Sequence, residues 1–329
     1  MSYSRNLLFA LSAAALLAPS QSLAEQTIYL PDPSFAPEGI AASADGSLYV
    51  GSLTQGRIIQ VSPDNQDVKE FAQKGTSGLV SVLGVHVTSD NSLVIACSSD
   101  PGISTLTGTA RPALVRFDRE TGTPLDRFEL PKDGIICNDI TELPDGTILA
   151  TDSFLPRIYA LRPGADELEV WYEDAQFEGE GFNLNGIAYD EGNVFVVRYN
   201  SGTMHRIPIR KHGGAGEAVE IRLPKPITAP DGLNALGNGR FLVVEGGGLS
   251  EGSIGSLLGV TIDTDDHAKV DVIAANLNIP TTADIVDDAV FVVEAQLDHV
   301  FDPSAGTADP YRVLRIELPE SFRKSAGRT

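Results

Sequence analysis

A short phrase recurs six times along this chain. It reads Pro37-Glu38-Gly39-Ile40, Leu83-Gly84-Val85, Asn138-Asp139-Ile140, Asn185-Gly186-Ile187, Asp231-Gly232-Leu233 and, more faintly, Thr281-Thr282-Ala283. Measured from Glu38, Leu83, Asn138, Asn185, Asp231 and Thr281, the intervals are 45, 55, 47, 46 and 50 residues. Each phrase is followed by a turn such as Asp45-Gly46 or Asp145-Gly146 and then an apolar run such as Leu48-Tyr49-Val50. A period in this range marks a repeat fold, and room for four strands per repeat makes it a propeller. The expectation is an all-β, six-bladed β-propeller of four-stranded antiparallel blades.

Within a repeat, an inner strand follows the phrase and a second follows the turn. A third is expected at Arg57 to Val61 or Arg157 to Leu161, and a fourth at Glu167 to Tyr172 or Glu217 to Leu223, where branched and aromatic residues alternate with charged ones. The last repeat has sequence for three strands only. Gln26 to Leu30, ahead of the first phrase, is expected to supply the missing outer strand and close the ring. The 329 residues therefore form one propeller over 25–320, a single core large enough to need no staples.

The first 24 residues read as an export signal: Arg5, an apolar stretch from Leu7 to Ala18, then Ser22-Leu23-Ala24 with small residues for cleavage. That stretch is shorter than the roughly 20 residues a spanning helix needs, so the expected address is the periplasm or the exterior. Residues 321–329 are polar and basic and read as a flexible tail. The net charge of −21 argues against nucleic acid and anionic membranes, which require basic patches. A monomer is expected. Two cysteines, Cys97 and Cys137, fall at the same face of adjacent repeats, and the residues leave open whether they are bonded or free.

Ring closure brings equivalent positions together on the axis, so Glu38, Asn138, Asn185 and Asp231 are expected to face one another. Two carboxylates and two amides form a hard oxygen set without imidazole or thiolate, which suits calcium better than zinc. A second set, 12 or 13 residues after Gly39 and its equivalents, comprises Ser52, Cys97, Asp152, Arg198, Glu245 and Glu294. Antiparallel pairing sets these beside the inner-strand starts, and they are expected to form the outer shell and pocket wall. Arg198 either meets a substrate oxygen or pairs with Glu245 or Glu294. Long connections at 98–111, 246–255 and 295–310 crowd the same face. Of five scattered histidines only His299, in one of these loops, is placed to touch a substrate. Gly248-Leu249-Ser250-Glu251-Gly252 matches a nucleophile elbow by letter but lacks the strand-turn-helix context.

On the phrases Pro37-Glu38-Gly39, Cys137-Asn138-Asp139, Leu184-Asn185-Gly186-Ile187 and Pro230-Asp231-Gly232, the chain resembles the calcium-dependent propellers of the gluconolactonase and regucalcin family. Paraoxonases and strictosidine synthase-like proteins are more distant relatives. The resemblance implies Ca2+ held by Glu38, Asn138, Asn185 and Asp231, and hydrolysis of a lactone or related ester. Asp231 and Glu38 would be the catalytic carboxylates, with Asp152 or Glu245 as substitute bases. Arg198, Asp152, Glu245 and His299 would contact the substrate. Leu83 and Ser98 stand where paraoxonases carry histidines, which excludes a histidine dyad, and Leu83 makes one wall apolar where gluconolactonases tend to place an asparagine. The alternatives are a non-catalytic propeller whose calcium ties the blades together around a ligand or protein partner, and a metal-free strictosidine synthase-like enzyme.

Overall fold

The computed structural model describes residues 26–62, 67–100, 102, 106, 111–302 and 304–323. Residues 1–25, where an export signal is expected, and residues 324–329 lie outside them. Six four-stranded antiparallel sheets follow one another around an axis. Blade 1 is typical, with strands Pro37–Ala42, Leu48–Ser52, Ile58–Val61 and Val68–Ala72 running from the axis outward. Blade 6 has inner strands Pro280–Val286, Ala289–Glu294 and Arg312–Glu317, and Gln26–Tyr29 pairs antiparallel to the last of these, Gln26 opposite Arg315 and Tyr29 opposite Arg312. The ring is therefore closed by strands from both ends of the described chain, as the sequence leads one to expect.

Burial follows position in the ring. Leu48–Ser52 is buried at every residue because blades pack on both of its faces, whereas the outer strand Pro124–Glu129 buries only Phe128. Apolar side chains fill the spaces between blades. Tyr49, Val82 and Phe117 join blades 1 and 2, and Phe195, Phe241 and Val260 join blades 4 and 5. A Cys97–Cys137 disulfide adds a covalent tie between blades 2 and 3.

Two boundaries differ from expectation. The outer strand of blade 4 is only Val219–Glu220, because the chain then leaves its own sheet: Arg222 N donates to Asp266 O at 2.8 Å and Ala268 N donates to Arg222 O at 3.0 Å, joining it to blade 5. The chain also does not fray at Ser321. A 3-10 turn at Glu320–Phe322 buries the Phe322 ring over Gly259, and Arg323 Nε donates to Leu318 O at 2.9 Å.

The six phrases form the tightest part of the ring. In blades 1, 2, 4, 5 and 6 the pairing of inner and second strand shifts at the phrase, so that Pro37 opposes Ser52 but Ile40 opposes Val50. Three steps on one strand match two on the other, which is a β-bulge. The glycine inside the bulge lies against the next blade's backbone. A Cβ on Gly39 would stand 2.0 Å from Leu83 O, and one on Gly186 2.3 Å from Asp231 O. Between blades 2 and 3, Gly84 N donates to Asn138 O at 2.6 Å, and the circle closes where Thr281 Oγ1 donates to Glu38 O at 2.8 Å. Gly186→Ala is expected to destabilise the protein by roughly 1–3 kcal/mol, the usual range for overpacking; urea unfolding followed by circular dichroism measures this.

Candidate active site

In blades 1, 4 and 5 the residue inserted by the bulge turns the side chain ahead of the glycine, Glu38, Asn185 and Asp231, toward the axis, and in blade 3, where Asp139 replaces the glycine, Asn138 faces the same cleft. Glu38, Asn138, Asn185 and Asp231 thus line one cleft, and all four are buried. In three blades the approach to the phrase is fixed by a residue in left-handed backbone: Ala36 (φ 42°), Ala229 (φ 50°) and Ile279 (φ 43°), each followed by proline. This conformation is unfavourable for a residue with a Cβ, most of all a β-branched one, and must be held by its surroundings. The carbonyls of these residues accept from Leu53 N at 2.8 Å, Gly246 N at 2.9 Å and Ala295 N at 3.1 Å, just beyond the second strand of the same blade.

The donor set is short of partners. Glu38 Oε2 and Asp231 Oδ1 are buried and accept no hydrogen bond among the described residues. The Asn138 amide nitrogen donates to Ser153 Oγ at 2.6 Å, which turns its carbonyl oxygen away from that contact, and Asn185 donates to the Asp231 carboxylate. Burial, then the Asp231 charge, then that of Asp139 push the Glu38 carboxyl well above its ordinary range; burial and Asp139 do the same to Asp231. Two orphaned carboxylate oxygens beside two amides are what a hard divalent cation would satisfy, so the residues present fit calcium. Among the described residues no three His, Cys, Asp or Glu side chains are grouped for metal binding. Any ion here therefore relies on the two asparagines.

Asp139 was not singled out from the sequence. It occupies the phrase position that is glycine in four other repeats. Its Oδ1 accepts from Ile140 N at 2.8 Å and its Oδ2 from Ile187 N of blade 4 at 3.1 Å. It lines the axial channel formed by all six inner strands, behind the four cleft residues. Burial, relieved in part by those bonds, raises its carboxyl to about 6. The signal for it was the break in the repeat, an acid where the pattern asks for glycine.

The second set does not form the pocket wall. Ser52, Glu245 and Glu294 pair across the sheet with Pro37, Pro230 and Pro280. Cross-strand partners share a face, so these side chains stand with the residue before each ligand and clamp the loop entering the blade. Glu245 Oε1 accepts from Thr228 N at 2.9 Å and Glu294 Oε1 from Asn278 N at 2.8 Å, while Glu294 Oε2 binds Arg312. Asp152 is fully buried and accepts from Ile135 N (2.9 Å), Phe154 N (3.0 Å), Leu155 N (3.1 Å) and the Tyr159 hydroxyl (3.2 Å). With both oxygens engaged it cannot serve as a substitute base, and neither it nor Glu245 reaches the cleft lining. Arg198 neither lines the cleft nor pairs with Glu245 or Glu294. Its Nη2 donates to Glu178 O at 3.0 Å and Asn183 Oδ1 at 3.3 Å, bracing the loop that presents Phe182. His299 Nδ1 lies 2.9 Å from Gly306 O, and its neighbours Leu297 and Phe301 face the cleft instead.

The wall is mostly carbon. Leu53, Leu83 and Ile136 line it from blades 1 to 3, and Phe182, Leu249, Leu297 and Phe301 from the long loops. Tyr199 adds a hydroxyl; burial and the nearby Asp231 charge raise its ionisation, so it stays a neutral phenol. No pattern in the sequence marked Tyr199 or Leu297, although Leu83 was legible as an apolar member.

A family model described as strictosidine synthase-like, N-terminal, matches residues 17–61. No curated protein matches the chain. Among solved structures, a gluconolactonase from Xanthomonas campestris aligns with a TM-score of 0.60 at 16% identity, covering 90% of this chain and 89% of its own. A luciferin-regenerating enzyme aligns at 0.63 with 14% identity (92% and 98% covered), and virginiamycin B lyase from Staphylococcus aureus at 0.58 with 15% identity (90% and 99% covered). The chain shares their fold. At such identities these likenesses extend to the propeller and not to any one chemistry.

The clustered acids generate a prediction for metal-free protein. A carboxyl whose folded pKa is raised contributes stability below its unfolded pKa and loses it as pH climbs through the folded one. For Asp139 that window runs from 3.8 to about 6 and beyond, and Glu38 and Asp231 shift in the same direction. With chelator present, Asp231→Asn is expected to raise Tm relative to the unsubstituted protein, by more at pH 8 than at pH 5, as read by differential scanning calorimetry.

Proposed function

We propose that this chain is an exported, calcium-dependent hydrolase of a lactone or related ester, with its centre at Glu38, Asn138, Asn185 and Asp231. The observation that carries the reading is the pair of buried, unpartnered oxygens, Glu38 Oε2 and Asp231 Oδ1, facing one cleft with two amides. One structural neighbour is a gluconolactonase, and the proposal takes that reaction class to this chain. The Cys97–Cys137 bond supports an oxidising compartment outside the cytoplasm, where calcium is plentiful enough to fill a weak site.

Bound calcium would supply Lewis-acid polarisation of the substrate carbonyl. Glu38 and Asp231 would hold the ion, neutralising its charge, while the Asn138 and Asn185 carbonyls complete the oxygen set. The Asp231 carboxylate, at the edge of the ion, would accept the proton of the attacking water. That proton passes to the alkoxide as the ester C–O bond breaks, giving a hydroxy acid. Tyr199, a neutral phenol lining the same cleft, would donate a hydrogen bond to a substrate oxygen. The carbon walls keep other water away, which strengthens each polar contact in the cleft.

The test combines binding and turnover. Calorimetry is expected to show a single calcium ion bound per chain, and chelator is expected to abolish lactone hydrolysis reversibly. Glu38→Gln and Asp231→Asn, if still folded, are expected to lower kcat/KM by about 100-fold or more, the scale on which lost charge stabilisation is felt. Unchanged turnover in chelator, or in both variants, would remove the centre from the reaction.

A further inference from the structure

Resting on that reading, we propose that the substrate is an apolar lactone or ester bearing a medium-length alkyl or aryl arm, rather than a sugar lactone. We further propose that the arm lies along an aromatic track leading out of the cleft. Among the described residues, Tyr199 is the only hydroxyl-bearing side chain lining the cleft besides the four oxygen donors, and no lysine or arginine lines it. A polyol placed there would bury hydroxyls that find no partner, a larger penalty than the loss of one ordinary hydrogen bond. An anionic substituent would meet Glu38 and Asp231 with no lysine or arginine among the described lining residues to offset them.

The wall does not end at the cleft. Phe182 touches Tyr199 and Phe301, with ring centroids 6.0 Å and 6.5 Å apart, and on its outer side the Phe154 ring at 5.0 Å. Phe154 is 40% exposed and Ile135 50% exposed. One carboxylate holds both rim residues: Asp152 accepts from Ile135 N through one oxygen and from Phe154 N through the other. Arg198 and Asn183 brace the loop carrying Phe182, Asn183 Nδ2 donating to Gly179 O at 2.9 Å. Buried polar groups thus hold an exposed apolar strip in register with the cleft. Asp152 is a positioning residue that sets where the arm of the substrate lies.

The experiment uses the calcium-saturated full-length chain with γ-butyrolactone, γ-octalactone, γ-decalactone and D-glucono-δ-lactone. The value of kcat/KM is expected to rise several-fold for each methylene added to the alkyl lactones, mainly through KM, with the sugar lactone the poorest substrate. Phe154→Ala and Asp152→Asn are expected to lower the decalactone-to-butyrolactone ratio by severalfold, again in KM. A sugar lactone turned over as well as octalactone, or a ratio unmoved in both variants, would overturn the inference while leaving the hydrolase reading intact. If no lactone is turned over, the hydrolase reading fails and binding decides. Saturation-transfer NMR that finds decalactone bound more tightly than the sugar lactone supports the apolar track, and equal or absent binding rejects it.

Discussion

The structure depends on how closely six inner strands approach one axis. In four blades the phrase has room for a backbone and no side chain, and the glycines at 39 and 186 lie so close to carbonyl oxygens of the neighbouring blade that a Cβ is forbidden. The extra residue of each bulge is what allows the backbones to meet this way. It also sets the direction of the preceding side chain. One steric constraint therefore shapes both the closed ring and the inward-facing Glu38, Asn185 and Asp231, and Asn138, held by Ser153, completes the row.

That row opposes stability. Like charges brought together in a poorly solvated space drive one another's pKa upward, and here Asp139 acts on both Glu38 and Asp231 from the channel side. The apolar packing between blades and the strand pairing that closes blade 6 hold the acids in place. Left-handed backbone at Ala36, Ala229 and Ile279 is held by the same scaffold. Strain and buried charge gathered at one mouth are the pattern expected where structure is arranged for a ligand rather than for itself.

The polar residues around the mouth divide the work. The phrase residues face the cleft, whereas Asp152, Glu245 and Glu294 clamp loops and Arg198 braces one. By satisfying the backbone of the entering loops, these clamps free the loop side chains to be apolar. This is how a chain with 45 acidic residues presents a largely carbon wall around the cleft. The proposed reaction class rests on the oxygen set, and the proposed selectivity on the wall.

The sequence by itself determined the blade count, the order of strands, the closure by Gln26–Tyr29 and the four residues that converge, because a regular repeat maps equal positions in the chain onto equal positions round an axis. It showed Leu83 as an apolar member for the same reason. Only the tertiary structure decided the roles of Asp152, Arg198, Glu245 and His299, since cross-strand pairing narrows a residue to a neighbourhood and the local face decides what it touches. Phe182, Leu297 and Phe301 reach the cleft from irregular loops, where no period relates sequence position to space. The Cys97–Cys137 bond likewise became definite only once the packing of blade 2 on blade 3 set the distance between the two residues.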